Sequence, residues 1–181
     1  VWLDENGDGE WTDDEMIVIE ECDSLVEMIN TMLDISELET GSGKVELGTV
    51  EMRSLVQDVC ELFEPLAEKK KQTLICKIGE QLFVRGDLKK LRRMVSNLWD
   101  NALKYTPDSG EINVSLHRNG NRELVLGLSD TGIGISPDDL PHIFERFWRS
   151  DRSRSETGSG LGLSLVKAIV AIHGGTVTVQ S

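Results

Sequence analysis

The sequence predicts an α/β (α+β) sandwich: a mixed sheet with helices on one face, preceded by one long bundle-type helix. Three observations predict it. An apolar helical period runs from Thr12 to about Thr40 and stops at Gly41-Ser42-Gly43. Two alternating segments, EINVSLHR and RELVLGLSD, flank an Asn-Gly-Asn turn at 119–121, which is a hairpin signal. The remaining helical and strand patterns fall in separate clusters, as in a layered sandwich.

The first element to justify is the long helix. Val18, Cys22, Leu25, Ile29 and Met32 alternate three- and four-residue steps, as in a coiled-coil seam. Val26, Met28, Leu33 and Ile35 widen that face beyond a two-stranded seam, so the helix needs a bundle or a second copy to cover it. After the glycine linker, Val45 and Leu47 alternate with polar residues and predict a short strand. Thr49 is the expected cap of a helix to about Lys70, with Leu55, Val59, Leu62, Phe63 and Leu66 inward. TLICKI and QLFVR read as strands. Asp87 caps a helix to about Lys104, and the hairpin follows. A Gly- and Ser-rich loop precedes a helix over about 161–172, and GGTVTVQS reads as a final strand.

Composition bounds the function. At 181 residues and 39% hydrophobic, the chain holds one good-sized domain and an appendage. No apolar run approaches the ~20 residues that span a bilayer, and no signal-peptide pattern is present. Cys22, Cys60 and Cys76 lack metal or disulfide spacing, which predicts reduced thiols and a cytoplasmic setting. Residues 1–48 carry 15 of the 32 acidic residues and one of the 19 Lys and Arg, so the net charge of −13 sits almost wholly at that end. Such an end repels nucleic acid.

Four segments carry candidate chemistry, in order: NLWDNALKYT (97–106), DTGIGI (130–135), FERFW (144–148) and GSGLGL (158–163). Each has a plain reading, as a solvated helix flank, a strand-end turn, core aromatics or a common glycine loop. Their order within about seventy residues is what the plain readings do not explain. Together they resemble the N box, first glycine box, F box and second glycine box of the ATP-binding catalytic domain of sensor histidine kinases, a member of the Bergerat-fold superfamily shared with DNA gyrase and the MutL ATPases. The resemblance covers about 49–181. It extends into MINTMLDISELETG, which is similar to the second helix of that family's dimerisation and histidine-phosphotransfer bundle.

The resemblance implies ATP and Mg2+ as cofactors. Asn101 would face magnesium, which prefers oxygen ligands and keeps its waters. Lys104 would supply a point charge to the phosphates. Asp130, at the end of a buried strand, would accept the adenine amine, while Gly132 and Gly134 let backbone approach the purine. Tyr105 and Phe144 complete the nucleotide set. Gly158, Gly160, Leu161, Gly162 and Leu163 would present a helix N-terminus to phosphate. Arg146 and Arg149 are candidates for the γ-phosphate, within a lid expected over 136–159. The gyrase-like relatives place a general base where this chain has Asn97. An amide deprotonates water poorly, so the implied reaction is phosphoryl transfer to a separate acceptor.

The family's acceptor is a His on the first bundle helix. His117, His142 and His173 all fall elsewhere, so the acceptor helix would act in trans. The expected organisation is an acidic loop over 1–15, the second bundle helix and linker over 16–43, and an ATP-binding domain over 44–181 lacking its usual last strand. The chain, which does not begin with Met, is expected to be a piece trimmed at both ends. A homodimer through the bundle helix, a response regulator and a membrane-anchored parent are also implied.

The stretch Asp4–Glu15 resembles an EF-hand loop, D-x-[DN]-x-[DN]-G-x5-E, with Asp4, Asn6, Asp8, Glu10, Thr12 and Glu15 as Ca2+ ligands. An acidic turn with Thr12 as cap and Glu15 in a capping box explains it as completely. Two other function classes therefore stand beside the kinase reading: a calcium-binding or assembly module with a passive ATP-binding domain, and a relative that phosphorylates protein serine.

Overall fold

The computed structural model describes residues 13–120, 123–150 and 158–181, with side chains described from residue 21 onward. The EF-hand-like ligands Asp4, Asn6, Asp8, Glu10 and Thr12 lie outside the described residues. Glu15 falls on the first turn of a helix whose side chains there are also outside them.

Helix α1 runs Asp13–Thr40. It ends where Gly41 turns to φ 69°, a conformation that costs glycine little, and Gly43 N–H reaches back to the Glu37 carbonyl at 3.1 Å. Ile35 and Leu38 are buried on the rest of the chain. Leu25, Val26, Ile29, Met32 and Leu33 point outward, 45–58% exposed. The helix is thus apolar on two faces, and only one is covered.

Strand β1 is Gly48–Glu51 and pairs antiparallel with β3, Phe83–Gly86. This corrects two expectations. The strand is not at Val45 and Leu47, because Glu46 N–H is drawn off to the Asp87 carboxylate at 2.9 Å. Thr49 does not cap a helix, because it is paired with Arg85 inside β1. The cap of α2 (Met52–Lys69) is Glu51, whose carboxylate accepts from the N–H groups of Arg53 and Ser54 at 3.1 and 2.8 Å. Leu62 and Leu66, expected inward on α2, are 67% and 55% exposed. The buried face drifts along the helix, from Leu55 and Val59 to Cys60, Phe63 and Ala67, as the Phe63 ring stacks on Trp99 with centroids 6.1 Å apart.

The other strands form a second sheet in the order β2–β4–β5. Here β2 is Thr73–Ile78, β4 is Glu111–Arg118 and β5 is Leu124–Asp130. β2 lies parallel to β4, with Thr73 opposite Glu111. β5 closes the hairpin, with Ile112 opposite Asp130. Ile112, Val114 and Leu116 alternate along β4 and are buried under the helices, while their neighbours are not.

Helix α3 (Leu88–Tyr105) is capped by Asp87, as the sequence predicts. Leu91, Val95 and Ala102 are its buried stripe, joined by Met94, Leu103 and a fully buried Trp99. Helix α4 (Gly162–Ile172) packs beside it through Leu165, Val166 and Ile169. GGTVTVQS forms no strand. Alternation makes a segment fit for a sheet, but a strand exists only in a ladder. This one is held by Val177 on the core and by Ile135 N–H donating to Ser181 Oγ at 2.7 Å.

Candidate functional site

α3 and α4 meet at their site-bearing ends. Asn97, Asn101 and Lys104 are spaced four and three residues apart, so they share one face of α3. The Asn97 amide donates to the Arg93 carbonyl one turn back, at 2.8 Å, which leaves its Oδ1 facing out from the helix. That oxygen would lie 3.1 Å from a Cβ built on Gly162, and Asn101 Nδ2 would lie 3.8 Å from it. A side chain on Gly158 would collide with Lys104 Nζ. The second glycine segment therefore lies directly against the asparagine face, and glycine is what lets it do so.

Two groups at this junction are ready for a ligand. Asn101 Nδ2 is buried and has no hydrogen-bond partner among the described residues. Leaving such a donor unmet costs about 1–3 kcal/mol, so its place is beside an oxygen-rich group. The second is the start of α4, where Leu161 makes no side-chain cap. The first-turn N–H groups and the helix dipole therefore point outward beside the amides and Lys104. An oxyanion fits this donor set, and the Asn101 amide, turned over, offers an oxygen to a hard cation.

The end of β5 makes the second half of the site. Asp130 lies in the open, where the sequence reading put it at the end of a buried strand. The correction has a simple origin: β5 is the sheet's edge, and its residues are half-buried at most. Asp130 Oδ1 accepts from Gly132 N–H at 2.8 Å, which fixes the carboxylate over the turn. Ile133 N–H donates to the Tyr105 carbonyl at 3.2 Å, tying this turn to the C-terminal end of α3. A Cβ on Gly132 would come within 2.5 Å of the same carbonyl, and Gly134 adopts φ 68°. The turn is thus clamped on Tyr105, and Lys104 Nζ sits 5.5 Å over the Tyr105 ring.

The F segment closes the remaining side. Phe147 has φ 62°, uncommon for an aromatic residue, and donates its N–H to the Gly160 carbonyl at 3.0 Å. Any Cβ on Gly160 would run into the Phe147 and Trp148 backbone. The order of the four segments flagged FERFW, but nothing in it foretold the Phe147 backbone. Phe144 faces Lys167, whose Nζ is 5.9 Å from the ring. Leu161 is fully buried and Leu163 half-buried at the start of α4. Arg149 is half-buried at the end of the F segment.

Arg146 is engaged by α1. Its guanidinium pairs with Glu39 near the end of α1. A second pair, Arg93 with Asp34, joins α1 to α3, and Arg93 also donates to Thr31 Oγ1 at 2.8 Å. The sequence signal for both pairs was the run of acids on α1, which by itself names no partner. The expected lid over 136–159 is described for 136–150 and 158–159, and its middle lies outside the described residues.

None of the three histidines lies on α1. His117 is on β4. His142 bonds Glu145 at 2.7 Å and stacks on Trp148. His173 joins α4 to the start of α3, taking Asp87 N–H on Nε2 at 2.9 Å and donating from Nδ1 to the Ile169 carbonyl at 2.7 Å.

Residues 86–181 match the family described as Histidine kinase-, DNA gyrase B-, and HSP90-like ATPase. The sensor protein SphS of Synechococcus elongatus is 36% identical over 170 residues, covering 89% of this chain and 41% of SphS. Hybrid signal transduction histidine kinase D of Dictyostelium discoideum is 38% identical over 186 residues, covering 98% of this chain and 12% of that protein. This chain therefore spans less than half the length of either relative. Among solved structures, full-length ShkA in complex with AMPPNP superposes with a TM-score of 0.76 at 26% identity, over 91% of this chain and 35% of ShkA.

Proposed function

The chain belongs to the histidine kinase-, DNA gyrase B- and HSP90-like ATPase family, and from that premise we propose that it is the ATP-binding catalytic part of a sensor histidine kinase, passing the γ-phosphate of ATP to a histidine supplied by another helix. The observation that carries this is the packing of Asn97, Asn101 and Lys104 against Gly158 and Gly162, with the buried Asn101 amide unmet. The family covers ATPases as well as kinases, so the separation rests on Asn97. Its amide is bonded into its own helix and cannot take a proton from water.

Each group then has a task. Asn101 would hold Mg2+, which would supply positive charge beside the phosphates. Lys104 and the α4 N-terminus bind and orient the phosphates. Asp130, held by Gly132 N–H, reads the purine amine, and Tyr105 and Phe144 flank the nucleotide. We assign Arg146 and Arg149 to the γ-phosphate, Arg146 once it leaves Glu39. We assign 16–43 to the second bundle helix and linker and 44–181 to the ATP-binding domain. The outward α1 face pairs with a second copy, and a response regulator takes the phosphate onward. No described helix is long and apolar enough to cross a membrane, and ATP supply favours a cytoplasmic setting for this part.

Calorimetry tests the site. The unaltered chain should bind one Mg-ATP. Asn101→Ala should lose the magnesium-dependent part of the affinity, and Asp130→Asn should lose preference for adenine over guanine. Unchanged binding in both variants would overturn the assignment.

For Asp4–Glu15 the support is the sequence pattern alone. We assign it a weak Ca2+ site, with Kd of about 10⁻⁴–10⁻³ M. Trp11, inside the loop, should sensitise terbium emission. No sensitised emission, together with no effect of Glu15→Gln on calcium titrations, would leave a capped acidic turn.

A further inference from the structure

Two of the three cysteines meet. Cys60, buried on α2, and Cys76, exposed on β2, place their sulfurs 3.1 Å apart. A disulfide bond is about 2.05 Å long, so closure needs a movement of about 1 Å. The nucleotide site uses neither residue. Spacing in the sequence gave no sign of the pair, since fifteen residues, a helix end and a turn lie between them.

We propose that Cys60 and Cys76 form a two-thiol oxidation site that reacts with a hydroperoxide and closes to a reversible intramolecular disulfide. The exposed Cys76 is the thiol an oxidant can reach. Its sulfur attacks the peroxide, the O–O bond breaks, and one oxygen leaves as water or an alcohol with the thiol proton. Cys76 is then a sulfenic acid. Cys60 sulfur attacks the Cys76 sulfur, the S–S bond forms, the S–O bond breaks, and water leaves with the Cys60 proton. Two thiols have lost two electrons and the peroxide has gained them. Burial, then the hydrogen bond with Cys76, pushes the Cys60 thiol well up, so it stays protonated and inert until a sulfenic partner stands beside it.

The link would close on a segment that already braces the site. Between the two cysteines, Lys70 Nζ donates to the Leu103 carbonyl at 2.8 Å, and Gln72 Nε2 donates to the Thr106 carbonyl at 2.7 Å. These are carbonyls at the C-terminal end of α3, on either side of Lys104 and Tyr105. A covalent α2–β2 link removes freedom from the unfolded chain and fixes that brace.

The test uses the whole chain carrying Cys22→Ser, because Cys22 is exposed on α1 and would cross-link copies. The reduced protein is treated with a few equivalents of hydrogen peroxide. Both remaining thiols should disappear together, peptide mapping should join the Cys60 and Cys76 peptides within one chain, and the melting temperature should rise by about 5–10 °C, reversibly with dithiothreitol. In Cys76→Ser, with Cys60 intact, thiol loss should stop. Persistence of both thiols, a dimedone-trapped or over-oxidised Cys76 beside a free Cys60, or linkage between chains would each overturn the proposal. The readout needs no nucleotide, so its failure is separate from failure of the kinase reading.

Discussion

Asp87 accepts N–H groups from Lys89 and Lys90 as the cap of α3, and from Glu46 across the chain. Burial pushes its carboxyl up. The backbone donors of Glu46, Lys90 and Lys89 and the nearby Lys90 charge outweigh that, and hold it below the ordinary 3.8. Asp87→Ala should therefore cost about 1–2 kcal/mol at neutral pH by denaturant titration. The folded value lies below the unfolded one, so this contribution is complete above pH 4 and disappears as pH falls through the folded value. The gap between the unaltered chain and Asp87→Ala should narrow in that acid window. Gly132→Ala makes a different residue-scale case. A Cβ there meets the Tyr105 carbonyl at 2.5 Å, and the turn must shift. A loss of about 1–3 kcal/mol in stability is expected, with weaker ATP binding by calorimetry. Wild-type values on both counts would mean that the turn is not clamped as described. Local chemistry made the capping role of Asp87 readable in the sequence. Its bond to Glu46, 41 residues away, had no local signature.

At the scale of elements, α1 was readable as a helix with an unusually wide apolar face, but not as a helix with two assignments. Ile35 and Leu38 are spent on the chain's own core, and Leu25, Ile29 and Met32 remain outside. Exposed apolar area of this kind drives association. The intact chain should sediment as a concentration-dependent dimer at moderate salt, and Leu25→Glu with Ile29→Glu should leave a folded monomer. A strict monomer at high concentration before any substitution would count against the dimer. The hairpin β4–β5, the Asp87 cap of α3 and the glycine-led start of α4 were all legible, because periodicity, turn chemistry and glycine act within a few residues. The first strand and the last were misplaced because ladders decide strands. Thr49 pairs with Arg85, and the 176–181 segment pairs with no strand among the described residues. The glycine and asparagine positions of the site were legible for the same local reasons. The pairing of Arg146 with Glu39 was not, since 107 residues separate the partners.

Over the whole molecule, α1 is tied down at Asp34–Arg93 and Glu39–Arg146, so a cation we assign to the γ-phosphate is held by the first helix. Given Mg-ATP labelled at the γ-phosphate, the isolated chain should acquire no acid-labile label, because its described histidines sit on β4, beside Glu145 and behind α4. Label on the chain alone would identify one of them as an acceptor. The sheet carries a further consequence, for how the chain reaches this state. β4 and β5 are neighbours in sequence and form a hairpin, whereas β2 must find β4 in parallel across β3 and all of α3, with Thr73 opposite Glu111. Closing that long loop is entropically late work, and pairs of high sequence separation slow the search. The hairpin with α3 should nucleate, and β2 should dock after the barrier. In stopped-flow measurements Leu126→Ala on β5 should then slow refolding, while Leu74→Ala on β2 should leave refolding nearly unchanged and speed unfolding. The reverse pattern would put the parallel pairing first.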